Sequence, residues 1–277
     1  MTGRSTDGDG ARAALFDFSG RVALVTGAGR GIGRSTALLL AAHGCAVAVT
    51  DVVGEAADGT AEAITAAGGR AMSAAADVSS AGDVARSVAR TVGELSRIDF
   101  LVNNAGISRY RPILECSEED WDAHLDVMAK GTFLMTKAVA PVMLAQQFGR
   151  IVNLGSYVAQ LNCATKYFGP YCAAKFAIVG LTQVAAQELA PHVTVNAVGP
   201  GDVATEMMER EWEQEGARTG EDAEAVKDRY RQRLLLGDLE GPEDIAGVIA
   251  FLCSPLADHV TGSHLVAGGG LPFTASA

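Results

Sequence analysis

The sequence predicts an α/β fold: a doubly wound, seven-stranded parallel sheet in a single domain. Three observations predict it. Short apolar runs recur along the chain, several of them apolar on both faces. Segments long enough for a crossover helix separate these runs. No proline- or serine-rich linker divides the 277 residues. Runs apolar on both faces suit parallel strands covered by helices on each side. Repeated β-helix-β spacing winds them into one sheet, and the length suffices for one large core.

The elements follow in order. Strands are predicted at RVALVT (21–26), CAVAVT (45–50), RAMSAAA (70–76), IDFLVN (98–103), GRIVNL (149–154), HVTVNAV (192–198) and GSHLVA (262–267). Helices are predicted over 31–43, 55–67, 80–95, 118–147, 171–190 and 242–253. Pro141 is expected to kink the fourth. Residues 1–17 are polar and Gly-rich at their start and read as a flexible tail, leaving 18–277 as the domain. Residues 204–240 break the rhythm: they are charged and helix-prone, with Trp212 and apolar residues interspersed. An insertion after a strand's carboxyl end lies over the ligand crevice of such a sheet. This segment is therefore expected to be a substrate lid, with a merely exposed helical pair as the alternative.

Composition excludes several function classes. Hydrophobic residues make up 48% and charged residues 20%, a globular balance. The formal net charge of −11 gives no electrostatic footprint for nucleic acid or an anionic membrane. No uncharged apolar run reaches membrane-spanning length. Cys45, Cys116, Cys163, Cys172 and Cys253 are scattered and form no CxxC. That argues against a disulfide framework and a zinc site, and for free thiols in a reducing cytoplasm.

The stretch TGAGRGIG (26–33) follows the first strand and opens a helix. Gly27, Gly31 and Gly33, with Arg30 and Ile32 between them, form a turn that lets backbone approach a pyrophosphate at the helix N-terminus. The second strand ends at Asp51, 18 residues beyond Gly33. A carboxylate there accepts from a ribose 2′-hydroxyl and repels a 2′-phosphate. NAD is therefore favoured over NADP, although Arg30 could approach a 2′-phosphate. Together these features specify a Rossmann fold.

One further stretch stands out. In GPYCAAKFAIVG (169–180), Tyr171 and Lys175 sit one turn apart on a small-residue, apolar helix. A lysine on such a face must reach solvent or be employed. With the glycine turn, NNAG (103–106) and Tyr171-x-x-x-Lys175 in order, the chain resembles the classical short-chain dehydrogenase/reductase family. The likeness runs from about Phe18 to Leu271, and DV (77–78), GPG (199–201) and GPEDIAGVIAFLCSP (241–255) extend it.

The resemblance implies roles. Asp77 and Val78 would line the adenine; Asn104, Ala105 and Gly106 the cofactor ribose. Pro200 and Gly201 would turn the chain beside the nicotinamide, and Val203 and Thr205 would hold its carboxamide. Ser156, Tyr171 and Lys175 would be catalytic, with Lys175 also on the ribose hydroxyls. Ser156 precedes Tyr171 by 15 residues, so the loop between them is expected to be extended. Bringing a phenol from ~10 to ~7 needs roughly 4 kcal/mol. A cation ~4 Å away at an effective dielectric of ~20 supplies about that much. Tyr171 would then exchange a proton with the reacting oxygen, which Ser156 would hydrogen-bond. Tyr157 and Tyr167 lack a lysine four residues on.

Two departures accompany the likeness. Met128 stands where the family commonly has an asparagine that bends the helix and holds a water joined to the lysine; a thioether is only a weak acceptor. Ala267 stands where an aspartate is usual, and a local effect is expected. The sequence implies NAD-dependent interconversion of a secondary alcohol and a ketone, with a polyol or vicinal diol as substrate. A bulkier steroid- or polyketide-type hydroxy compound is the alternative substrate. A catalytically impaired NAD-binding sensor or scaffold is the alternative function. Apolar faces on 124–147 and 171–190, together with the resemblance, imply a homotetramer.

Overall fold

The computed structural model describes residues 16–160 and 162–271. Seven strands form one sheet: β1 (Val22–Thr26), β2 (Ala46–Asp51), β3 (Ala71–Ala75), β4 (Phe100–Asn103), β5 (Gly149–Leu154), β6 (Val193–Pro200) and β7 (His264–Ala267). All pairings are parallel, in the order β3-β2-β1-β4-β5-β6-β7. Every predicted strand is present, β5 with the same bounds and the others shifted by a residue or two at their ends. β1, β4, β5 and β6 are buried throughout, which is why their sequences do not alternate.

The crossovers are α1 (Gly31–Ala42), α2 (Gly54–Ala66), α3 (Ala81–Leu95), α4 (Glu118–His124), α5 (Gly131–Gln146), α6 (Gly169–Leu189) and α9 (Pro242–Cys253). Two apolar layers result. Leu40, Ile64, Phe100 and Ile249 lie in one and Leu24, Leu101, Met135 and Ile151 in the other. Caps set several starts. Ser80 accepts from the Asp83 amide at 3.3 Å, and Ser117 accepts from the Asp120 amide at 3.1 Å.

The helix expected over 118–147 is not uniform. Leu125–Lys130 takes a π-helical turn between α4 and α5, with Met128 buried within it. Such turns recur at functional sites. The run Glu118–Gln146 has the length and apolarity of a membrane-spanning helix. Met135, Val139 and Met143 on it are nonetheless packed into the core.

The segment 204–240 folds as a helical pair, α7 (Glu206–Thr219) and α8 (Ala223–Gln232). Trp212, Val226 and Tyr230 form their shared apolar centre. A bridge between Val203 and Glu240 closes the base of the pair. The predicted tail lies outside the described residues except at its end, where Phe16 packs edge-on against Phe18 with ring centroids 6.4 Å apart and joins the core cluster. Residues 272–277 of the predicted domain also lie outside the described residues.

Candidate active site

The strand order reverses between β1 and β4, and a crevice opens there beyond the strands' carboxyl ends. A cleft of about 600 Å³ runs from Asp51 across the glycine turn to Tyr171 and the helical pair. Every residue predicted for cofactor or chemistry lines it except Gly33.

At one end the backbone sets the shape. Gly27 has φ +60°, and a Cβ there would lie 2.8 Å from Ala105 Cα. Gly33 acts beneath the cleft. A Cβ there would meet the Gly27 carbonyl at 2.3 Å and Asn104 Nδ2 at 2.4 Å, so the absent side chain lets α1 close onto the turn. Asn104 donates from Nδ2 to the carbonyls of Thr26 and Gly27, both at 2.9 Å. Thr26, which the sequence did not single out, accepts from the amides of Asn104 and Ala105 at 3.0 and 3.1 Å. Its position inside an ordinary apolar strand hides that role. No side chain caps α1. Its first amides are therefore available to an anion, and the turn fits a dinucleotide pyrophosphate.

Asp51 has two jobs. Its Oδ2 accepts from the Gly29 amide and its Oδ1 from the Val53 amide, each at 3.0 Å. These two bonds fix the carboxylate at the cleft's edge. Arg30 makes an exposed ion pair with Glu206, at 3.3 Å. Asp77 accepts from the amide and hydroxyl of Ser79 at 2.8 and 2.7 Å. Val78 packs where a Cβ on Gly131 would come within 2.8 Å. Ile32, Gly31 and Gly106 line the floor; Pro200, Gly201, Val203 and Thr205 line the far wall.

At the other end, Ser156 follows β5, and Tyr171 and Lys175 project from α6 into the same cleft. Lys175 is only 5% exposed. Its Nζ donates to the Leu154 carbonyl at 2.6 Å and lies 5.4 Å from the Tyr171 ring centroid. The ammonium therefore turns inward rather than reaching solvent. The loop between Ser156 and Tyr171 opens with a 3-10 turn at Tyr157–Ala159. It pairs with the opposite wall where the Arg111 amide donates to the Tyr167 carbonyl at 2.8 Å.

The electrostatics correct one expectation. Burial raises the Tyr171 phenol well above its ordinary value, the Glu211 carboxylate adds to the rise, and the Ser156 hydroxyl opposes it. Burial brings Lys175 down to about 7. Each group is held toward its neutral form, because desolvation outweighs an ammonium 5.4 Å from the ring. Lys175 alone does not make the phenol acidic. Burial pushes Tyr157 up to about 12, and the Asp202 carboxylate adds to the rise.

Two further residues went unnoticed in the sequence. Asp202, just after β6, and Glu211, on α7, both face the cleft near Tyr171. Burial raises Asp202 to about 6 and Glu211 to about 7. In the sequence they look like a turn residue and a solvated helix charge, and nothing in their spacing distinguishes them.

Met128 fills the place of the family's asparagine. It is fully buried against Ala174, Ile178 and Tyr171, and the π-helical turn persists around it. The bend therefore does not depend on an asparagine side chain.

Comparison with known proteins agrees with this geometry. The family model described as enoyl-(acyl carrier protein) reductase matches residues 27–272. The chain is 42% identical to the short-chain reductase protein NovJ of Streptomyces niveus over 252 residues, covering 91% of this chain and 94% of NovJ. It is 41% identical to a 3-oxoacyl-[acyl-carrier-protein] reductase of Synechocystis sp. over 257 residues, covering 92% and 98%. The crystal structure of an NAD+-bound xylitol dehydrogenase superposes with a TM-score of 0.87 at 34% identity, covering 91% of this chain and 99% of that one. The ordered glycine turn, the Ser156, Tyr171 and Lys175 set and these likenesses converge: the chain belongs to the classical short-chain dehydrogenase/reductase family, oxidoreductases that use a nicotinamide cofactor on alcohols and ketones.

Proposed function

We propose that the protein interconverts a small, polar secondary alcohol and its ketone with NAD, using Ser156, Tyr171 and Lys175. The convergence of these three side chains on one cleft, with Lys175 buried on the Leu154 carbonyl, carries the reading. Bound NAD supplies the hydride acceptor in one direction and the donor in the other. Tyr171 takes the proton of the reacting hydroxyl or returns it to the carbonyl. Ser156 hydrogen-bonds the oxygen on which charge develops. Lys175 lies beneath them as a buried hydrogen-bond donor, and the charge of an oxidised nicotinamide would supply the stabilisation that the buried phenolate requires.

Several observations support the finer points. Asp51 at the cleft's edge favours a ribose 2′-hydroxyl, hence NAD. Arg30, the residue suited to a 2′-phosphate, is engaged by Glu206. The likeness to an NAD+-bound xylitol dehydrogenase agrees with both NAD and a polyol or vicinal diol. Exposed Phe133 on α5, and Phe176 and Val184 on α6, support a homotetramer. The thiols form no disulfide among the described residues, in keeping with a cytoplasmic setting.

The deciding experiment is cofactor reduction across a panel of secondary alcohols, polyols and diols, run with NAD and NADP in parallel. Turnover at a higher kcat/KM with NAD supports the reading. Tight NAD binding with no turnover of any alcohol would replace it with the sensor or scaffold reading, which Met128 at the proton path favours.

A further inference from the structure

The substrate end of the cleft carries carboxylates that the dehydrogenase chemistry does not use. α7 presents two glutamates one turn apart, Glu211 and Glu215, and their surroundings differ. Glu215 is satisfied: Arg229 donates to its Oε1 at 2.8 Å and the Tyr230 hydroxyl to its Oε2 at 2.7 Å. Arg229 is shared with Glu221, also at 2.8 Å. Glu211 lines the cleft, and no ion pair reaches it among the described residues. Ser108 stands beside it from the opposite wall.

Asp202 supplies the independent observation. It is 3% exposed, it lines the cleft, and its Oδ2 is buried without a hydrogen-bond partner. Arg233 is the nearest cation acting on it, and that guanidinium lies over the Tyr230 ring, 5.2 Å from its centroid. Glu240, at the base of the lid, has its Oε2 on the Gly201 amide at 3.2 Å and adds negative charge to the same wall. A buried carboxylate with a free lone pair is costly, and it persists where a ligand completes it. A hydroxyl would fill the lone pair and leave the charge. An ammonium fills the lone pair and cancels the charge, through the stronger charge-assisted bond. A carboxylate or phosphate at this place meets two like charges.

We infer that the lid end of the cleft is an ammonium subsite: Glu211 and Asp202 take the protonated amine of a substrate whose reacting carbinol lies beside Ser156 and Tyr171, making the substrate an amino alcohol or amino ketone. This rests on the dehydrogenase reading for the position of the carbinol and goes beyond it in naming the neighbouring group. The two carboxylates come from different elements, the end of β6 and α7, so the subsite is complete only with the lid packed as it is here.

The test compares substituents of nearly equal size on one carbon skeleton. The protein saturated with NADH, in which an alcohol is not oxidised, is titrated calorimetrically with 3-amino-2-butanol, 2,3-butanediol, 3-methyl-2-butanol and 3-hydroxy-2-methylbutanoate. The amino alcohol is expected to bind at least tenfold more tightly than the diol or the methyl compound, with the acid weakest. Glu211→Gln and Asp202→Asn are each expected to remove most of that tenfold advantage while leaving the methyl compound's affinity unchanged. Equal binding of amine and methyl compound overturns the inference, as does an amine advantage that survives both substitutions. The wild-type comparison decides even where a variant fails to fold. Turnover with NAD is read separately. Selective amine binding without oxidation of any alcohol leaves the subsite standing and removes the dehydrogenase reading; oxidation of all the alcohols at equal kcat/KM does the reverse.

Discussion

Tyr171 and Lys175 lie one turn apart on α6, and the energetic problem of the site is between them. Both are disfavoured in their charged forms by burial, so each needs something outside the pair. For Tyr171 to carry a proton, the phenolate must be stabilised at the moment hydride departs. That ties proton transfer to the charge of the bound cofactor and leaves the phenol a weak acid otherwise. Tyr171→Phe should lower kcat by about a hundred- to ten-thousand-fold, the usual reach of one proton-transfer group. NAD affinity, measured by fluorescence titration, should change little. Full-speed hydride transfer in that variant would end the mechanism. Met128 bears on where the proton goes next. Met128→Asn should move the pH dependence of kcat, because an amide in the π-helical turn can hold a water that a thioether cannot. Unaltered NAD binding would separate this from a general disturbance. A pH–rate profile that does not move would show that the proton leaves by another route.

The lid illustrates how an element can be evident in the sequence while its chemistry is not. Thr205 accepts from the Met208 amide at 3.4 Å, and Gly220 ends α7 at φ +79°. The helix-prone composition and the interspersed apolar residues such as Trp212 made helices foreseeable there; the caps were found only in the structure. Asp202 and Glu211 were illegible for a physical reason. A carboxylate's burial depends on which way the finished helix turns, and the many exposed acids of 204–240 share its sequence context. Their burial predicts a measurable cost. A carboxyl raised from an ordinary value of 4.5 to about 7 binds more protons folded than unfolded between those pH values. Glu211 therefore favours the folded state below pH ~4.5 and loses that contribution as pH rises toward 7. Glu211→Gln removes the ionisation. Its melting temperature should accordingly rise relative to wild type as pH goes from 4.5 to 7, in the absence of substrate. A difference that stays flat with pH would show that Glu211 is well solvated, and the subsite would lose its electrostatic basis. The glycine turn is the opposite case. Its spacing alone singled out Gly27, Gly31 and Gly33. That Gly33 acts beneath the cleft needed the structure, because its contact with Asn104 joins residues 71 positions apart.

At the scale of the whole molecule, the sheet lies between two apolar layers, and its strands were foreseeable because parallel strands buried on both faces leave unbroken apolar runs. The outer faces of α5 and α6 are another matter. Phe133, Phe176 and Val184 remain 46%, 44% and 52% exposed, although both helices are already packed inward through Met135, Val139, Ile178 and Ala186. Exposed rings and branched chains grouped on adjacent helices lose little by being covered and gain about 25 cal/mol for each Å² of apolar area removed from water. A second copy of the chain presents the same groups, so a two-fold contact covers both sets at once. Phe176→Asp together with Val184→Asp places charges on that face without touching the cleft. Sedimentation velocity should show the wild-type protein as an assembly of four copies and the double variant as a smaller species. A wild-type monomer would remove the oligomer from the account and leave these side chains as ordinary surface. The same experiment bears on α6 as a catalytic element, since Tyr171 and Lys175 ride on the helix whose far face carries Phe176 and Val184. If the contact steadies α6, the dissociated variant should keep its NAD affinity and lose turnover severalfold, which is the signature of reacting groups held less firmly in place.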